Sequence, residues 1–284
     1  MTYRSSLLTR LPSTVRSFHT AIAVSAAVLL LLLPHTAGAS AANAKRQAAA
    51  RCAFSDAEFD PGSDVHALDN YSDAITQLLK QDKFADLDCL ADAARAGKTK
   101  FPGGTWNLHN LYLSLGKPRP AHATNEDWQH HLDLIERWQG KNPQSIAAPI
   151  ALADAYVGYG WYARGNDSSD TVSDSGWKLF GERLAKAKSI LEDASALATK
   201  DPEWYCVMLE VAQGQSWGRP RETELFEHAV AFEPDYQYYY RLHATILLPK
   251  WSGEDGDAAR FAQESADRVG GESGDVLYFR IAET

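Results

Sequence analysis

The sequence predicts an all-α protein, an α-solenoid built from degenerate helical hairpins. Three observations carry this fold class. Residues 174–200 place seven apolar side chains at alternating spacings of three and four, which is the stripe of one long helix. Prolines and glycines separate further apolar helical stretches, and no stretch shows the strict alternation of a β-hairpin. The stripe of residues 174–200 consists of Trp177, Phe180, Leu184, Ala187, Leu191, Ala194 and Ala198.

Residues 1–39 have the pattern of a secretory signal peptide. Three arginines and no acidic residue precede an apolar run over residues 21–33, and Ala37 and Ala39 offer small side chains before a cleavage point at Ser40. The apolar run is shorter than the ~20 residues that span a bilayer. We therefore expect export, with the mature chain periplasmic or secreted; an uncleaved segment would be its one membrane attachment.

The mature chain is acidic. After removal of the signal segment it keeps 25 basic and 37 acidic residues, a net charge of −12. Without a basic cluster, such a chain repels nucleic acid and anionic lipid, so neither is expected as a main partner. Export permits a disulfide, and Cys52 with Cys89 could form one, although unpaired cysteines fit the sequence equally well. Cys206 lies among apolar residues and is interpreted as a small core side chain.

The mature chain divides into three parts. Residues 40–64 form a flexible lead-in, residues 65–120 a helical hairpin region, and residues 121–284 a repeat domain. In the second part, helices are predicted over 69–82, 83–96 and 106–115. In the third, Thr124 begins a capping box with Asp127 at the position of the usual Glu or Gln. The helices expected after it cover residues 126–141, 146–164, 174–200, 204–211, 222–232, 236–248, 256–269 and 275–282.

The spacing of small and aromatic residues in the third part resembles the tetratricopeptide repeat, a pair of antiparallel helices. Leu152, Tyr156 and Gly160 match its first helix, whereas Phe226 and Pro234 match its end. The resemblance covers residues 126–268 and implies stacked hairpins with a concave binding face.

Three features depart from the repeat pattern. Glu222 stands where the pattern has alanine, His243 stands where it has leucine, and residues 165–174 are an insertion. These repeats are therefore degenerate. Segments such as FPGGTW, LHNLYLSLGKP and DSGWKLFGERL also resemble a bacterial family known only as a domain of unknown function. That second resemblance implies no activity.

No catalytic, metal or cofactor motif is present in the sequence. His130 and His131 are adjacent, so on a helix they point about 100° apart and do not form a two-ligand face. Asp167, Asp170 and Asp174 crowd one loop, but the glycine and glutamate of a calcium loop are missing, which favours a solvated loop and helix cap.

Aromatic residues are the candidate binding residues. Tyr238, Tyr239 and Tyr240 are consecutive, so one helix face should not bury all three, and some should reach a concave surface, a neighbouring unit or solvent. Arg241 could pair with a carboxylate of a ligand. The candidate concave-face residues are Trp161, Tyr238, Tyr239, Arg241 and Trp251.

These observations lead to an exported helical-repeat protein of the cell envelope that binds a protein or peptide partner or serves as a scaffold. A binder of envelope glycan, related to peptidoglycan, is the alternative, with tryptophan and tyrosine rings stacking on sugars. An all-α enzyme whose acidic residues are assembled by the fold is a third hypothesis. The sequence assigns no catalytic residue, no metal and no cofactor.

Overall fold

The computed structural model describes residues 66–165 and 168–283. The predicted signal peptide and the lead-in up to residue 64 lie outside these ranges. The described residues form eleven α-helices and no β-strand, so the all-α class is confirmed. The helices are α1 (Ala67–Lys80), α2 (Phe84–Gly97), α3 (Asn107–Leu115), α4 (Asn125–Lys141), α5 (Ala147–Arg164), α6 (Asp174–Ala194), α7 (Glu203–Gly214), α8 (Arg219–Phe232), α9 (Tyr238–Ile246), α10 (Asp257–Val269) and α11 (Gly271–Ala282).

Helix α4 begins as the sequence predicts. The Thr124 hydroxyl accepts a hydrogen bond from the Asp127 backbone N–H at 3.2 Å, and the Asp127 carboxylate accepts one from the Thr124 backbone N–H at 2.7 Å. These reciprocal bonds satisfy two of the free amides at the helix start. The capping box is confirmed.

The predicted start of α6 at residue 174 agrees with the structure, whereas its predicted end was wrong. Its N-cap is Ser173, whose hydroxyl accepts from the Gly176 backbone N–H at 3.1 Å. The helix ends at Ala194, where the prediction had Lys200. Ala198 consequently lies in an exposed turn, and the Lys200 ammonium donates to the Leu197 carbonyl at 2.7 Å.

The helices pack in a regular order. Contacts link each odd-numbered helix to the next odd-numbered one, from α1 through α3, α5, α7 and α9 to α11. The even-numbered helices α6, α8 and α10 pack mainly against their neighbours in sequence, and the pair of α5 and α6 is the most extensive. The odd-numbered helices therefore form one layer, and α6, α8 and α10 cover it.

The loop between α2 and α3 ties the two ends of the described chain together. Lys98 pairs with Glu233 at 2.7 Å, and the Trp106 backbone N–H donates to the Tyr238 hydroxyl at 2.8 Å. Arg280 on α11 donates to the Gly103 carbonyl at 2.6 Å. One hydrophobic core contains side chains from residues 71–115 and from residues 128–281. Within residues 66–165 and 168–283, no helix is long and apolar enough to cross a bilayer.

Candidate functional site

Two of the predicted binding residues, Trp161 and Trp251, meet in the structure. Their ring centroids lie 6.0 Å apart in an edge-to-face arrangement. Trp161 also packs against Phe180 at 4.7 Å, and Trp177 contacts the same ring at 5.9 Å. We call Trp161, Trp177, Trp251 and Arg164 the tryptophan cluster.

Each member of the tryptophan cluster comes from the end of an element. Trp161 is in the last turn of α5, Trp177 is in the first turn of α6, and Trp251 follows α9. Close approach of the two helices depends on Gly176, because a Cβ there would lie 3.0 Å from the Ala163 carbonyl oxygen. Trp177 is 39% exposed and Trp251 is 37% exposed. The cluster is thus packed on one side and open to solvent on the other.

A cation lies among these rings. The guanidinium carbon of Arg164 is 5.7 Å from the Trp161 ring centroid and 5.3 Å from that of Trp177. A guanidinium within about 6 Å of an indole face is attracted by the negative face of the ring. Arg164 therefore helps to fix the two indoles and brings positive charge to a half-open aromatic surface.

The predicted acidic loop joins α5 to α6, next to this cluster. Asp170 and Asp174 are exposed, and Asp167 lies outside the described residues. A hydrogen bond from the Ser168 side chain lowers the pKa of Asp170 below its usual value, so this carboxyl is ionised at neutral pH. The loop therefore adds negative charge beside the tryptophan cluster.

The three consecutive tyrosines are all buried, so of the three expected environments the contact with neighbouring helices is the one that fits the structure. Tyr238, Tyr239 and Tyr240 are 5%, 0% and 3% exposed. The reason is that α9 is contacted by α7, α8, α10 and α11, which cover several of its faces. Tyr238 and Tyr239 are core residues in this structure. Arg241 is exposed on α9 and is not part of the tryptophan cluster.

Cys89 is disulfide-bonded, and Cys206 is a free, buried cysteine. Burial raises the pKa of the Cys206 thiol well above its usual value, so the thiol stays protonated and behaves as a small apolar side chain. Cys52, the predicted partner of Cys89, lies outside the described residues.

A network of acidic residues lies in the interior, and sequence reasoning missed it. Glu203, in the first turn of α7, lies 3.0 Å from Nδ1 of His109 and accepts a hydrogen bond from the Tyr236 hydroxyl. Asp201 accepts from the Tyr112 hydroxyl at 2.8 Å and pairs with Nε of Arg95 at 3.3 Å. Burial raises the pKa of Asp201 to about 6, although Arg95 opposes the shift.

Two further carboxylates face this network without a hydrogen-bond or ion-pair partner among the described residues. They belong to Asp154 on α5 and Glu210 on α7, and both are half-buried. Burial, together with the charge of Glu203, raises the pKa of Glu210 to about 7. Burial, with the charges of Glu210 and Glu203, raises the pKa of Asp154 well above its usual value. Glu210 can therefore hold a proton near neutral pH.

The Asp154 carboxylate lies against the end of α3. A Cβ on Gly116 would sit 2.4 Å from its Oδ2, so a larger residue there would displace the carboxylate. No group of three or more histidine, cysteine or acidic side chains in the described ranges could hold a metal ion. The network therefore offers carboxyls whose protonation changes near neutral pH.

Another pair of buried polar residues was marked in the sequence by its departure from the repeat pattern. Glu222 and His243, the two departures from the repeat pattern, pair with each other at 2.7 Å and are 1% and 4% exposed. The His243 ring stacks on Phe226 with 4.3 Å between centroids. Two polar substitutions at apolar repeat positions were therefore evidence of a mutual contact. The acidic residues of α7 carried no comparable signal.

Comparison with protein-family models, with curated proteins and with solved structures finds no match for this chain.

Proposed function

We propose that this chain is an exported binding or scaffold module of the cell envelope that captures a protein or peptide partner at the tryptophan cluster. The observation that carries this proposal is the half-open packing of Trp161, Trp177 and Trp251 around Arg164. Tryptophan and arginine are the residues most enriched among those that dominate protein interfaces. Export rests on the signal pattern of residues 1–39.

The architecture that fits this proposal is an α-solenoid of degenerate tetratricopeptide-like hairpins. Its support is the two-layer order of the helices, in which odd-numbered helices contact one another and α6, α8 and α10 cover them. Stacked units of this kind form an extended concave surface for partners. The bonds from the loop between α2 and α3 to Tyr238 and Arg280 go beyond the nearest-neighbour contacts of a regular array. The binding surface in this proposal is at the ends of α5 and α6 and after α9.

The loop beside the cluster favours a peptide with a basic residue next to an apolar one, whereas the charge of Arg164 is directed at the Trp161 and Trp177 rings. Asp170 and Asp174 are exposed on the adjoining loop, and the mature chain carries a net charge of −12. An indole surface supplies the apolar contact, whereas the loop carboxylates attract a cation and steer its approach. Notably, an acidic peptide would be repelled by the same loop.

The test is to select peptide ligands with the mature chain, residues 40–284. The selected peptide is then titrated against the wild type and against variants. Trp251→Ala should weaken binding about tenfold or more, since an interface tryptophan contributes ~2 kcal/mol or more. Phe279→Ala is the matched control, because Phe279 is an aromatic side chain on α11 that is 68% exposed. Circular dichroism should show the same helicity in both variants. Equal binding by wild type and Trp251→Ala would overturn the proposal.

The glycan alternative has its own outcome in this experiment. The half-exposed indoles at Trp177 and Trp251 would also stack on sugar rings. The surface is a glycan site if no peptide is selected and muropeptides or cell-wall oligosaccharides bind instead. Trp251→Ala should then weaken the binding of these glycans. The earlier candidate Tyr239 is unsuitable for either test, because its side chain is fully buried.

A further inference from the structure

A second surface of the molecule is an acidic cleft between α2 and the loop that joins α4 to α5. It has a volume of about 360 Å³. Asp88 and Asp92 line it from α2, Thr199 lines it from the turn after α6, and residues 142–147 close the other side. No basic residue is among the lining residues, so the cleft has a negative potential.

The two aspartates of the cleft differ in their surroundings. Asp88 is half-buried and accepts hydrogen bonds from the Ser145 hydroxyl and the Asn142 amide, each at 2.5 Å. Asp92 is exposed, with its carboxylate 2.8 Å from Arg95, which also pairs with Asp201. Arg95 is thus shared between two carboxylates, and Asp92 keeps most of its surface available to another cation.

Cys89 lies on α2 between these acidic residues. On a helix, residues three apart are neighbours on one face, so Asp86 and Asp92 flank Cys89 one turn to either side. Cys89 is disulfide-bonded, the chain has three cysteines, and Cys206 is free. We take Cys52, the one other cysteine of the sequence, as the partner of Cys89 in the proposal below.

The sequence next to Cys52 is basic. Arg51 precedes it directly, and Lys45 and Arg46 stand six to seven residues earlier in the segment KRQAAAR. An extended chain covers at most ~3.3–3.6 Å per residue, so all three cations stay within roughly 25 Å of the disulfide. They are also three of the 25 basic residues of a strongly acidic mature chain.

We propose that the basic segment 45–51 of this chain binds in the acidic cleft, held there by the disulfide at Cys89. The inference rests on the position of Cys89 beside the aspartates of the acidic cleft. A disulfide from Cys89 to the N-terminal segment would bring the basic residues near the mature N-terminus to this cleft. In this proposal Arg51 pairs with Asp92 at the cleft. This occupant is independent of any partner at the tryptophan cluster.

The test is the rate of trypsin cleavage after Lys45 and Arg46 in the oxidised mature chain, read by mass spectrometry. Binding in the cleft protects these bonds, so Asp92→Asn should raise the cleavage rate roughly two- to fivefold, the effect of losing one exposed charge pair. High salt should have the same effect on the wild type. Asp193→Asn, an exposed acidic residue on α6, is the matched control and should leave the rate unchanged.

A charge swap separates binding from general loss of stability. Asp92→Lys should expose the segment, and adding Arg51→Asp should restore protection at Lys45 and Arg46. Failure of the swap to restore protection would overturn the proposal. So would an equal rate in the wild type and Asp92→Asn, or a disulfide-linked dimer on a non-reducing gel, because Cys89 would then be joined to another chain.

Discussion

The Glu210 carboxylate illustrates how burial changes the chemistry of a single residue. It is half-buried on α7, its pKa is raised to about 7, and it has no hydrogen-bond partner among the described residues. The folded protein therefore holds a proton there at pH values where the unfolded chain, with an ordinary glutamate pKa, has lost it. Stability from this group is complete below the unfolded pKa of about 4.3 and is lost as the pH rises through about 7.

We predict that Glu210→Gln raises the melting temperature at pH 8 and changes it little at pH 4.5. Glutamine cannot ionise, so it removes the cost of a buried charge, which is on the order of 1–3 kcal/mol at pH 8. Thermal melts at both pH values check this. Glu264→Gln on the exposed face of α10 should show no such difference. A similar gain for Glu210→Gln at both pH values would contradict the assigned cause.

Residue-scale predictions succeeded where a local rule decides the outcome. The apolar environment of Cys206 followed from its apolar neighbours in sequence. The burial of Tyr239 did not follow from its neighbours in sequence, because it depends on helices that are remote in the chain. Its hydroxyl is buried without a hydrogen-bond partner in the described structure, which no local pattern could indicate.

At the scale of the element, the capping box of α4 is local and therefore predictable. We predict that Thr124→Ala lowers the stability of the protein by about 1 kcal/mol, because the free N–H of Asp127 loses its acceptor. Thr124→Ser keeps a hydroxyl and should retain most of that stability. Urea denaturation of the three proteins checks this. Equal stability of the alanine and serine variants would show that the cap contributes little.

The end of helix α6 could not be predicted from local sequence. The apolar spacing that predicts a helix to Lys200 continues through Ala198, yet the helix ends at Ala194. The tertiary structure ends it early because residues 195–200 turn back toward α7, where the Trp204 indole N–H donates to the Leu191 carbonyl at 2.7 Å. The Leu191 carbonyl therefore accepts twice, since the Ser195 backbone N–H also donates to it at 3.0 Å.

At the scale of the whole molecule, the sequence predicted the class and the helix count better than the arrangement. Separate parts were expected for residues 65–120 and 121–284. The structure joins them through Trp106 and Tyr238, which are 132 residues apart, and through Gly103 and Arg280, which are 177 apart. Such contacts have no periodicity in the sequence. The meeting of Trp161 and Trp251 depends on the same long-range packing.

The bond between Trp106 and Tyr238 gives a test of whether these parts unfold together. Tyr238→Phe keeps the ring, which stacks on His109 with 3.5 Å between centroids, but leaves the buried Trp106 N–H without its acceptor. An unpaired buried donor costs about 1–3 kcal/mol. We predict that the variant unfolds in one transition at a lower temperature, with circular dichroism and tryptophan fluorescence changing together. Tyr278→Phe on α11, where the side chain is 40% exposed, should melt like the wild type. Two separate transitions, with only one of them shifted, would show instead that the helices of residues 67–115 and those of residues 125–282 are independent folding units.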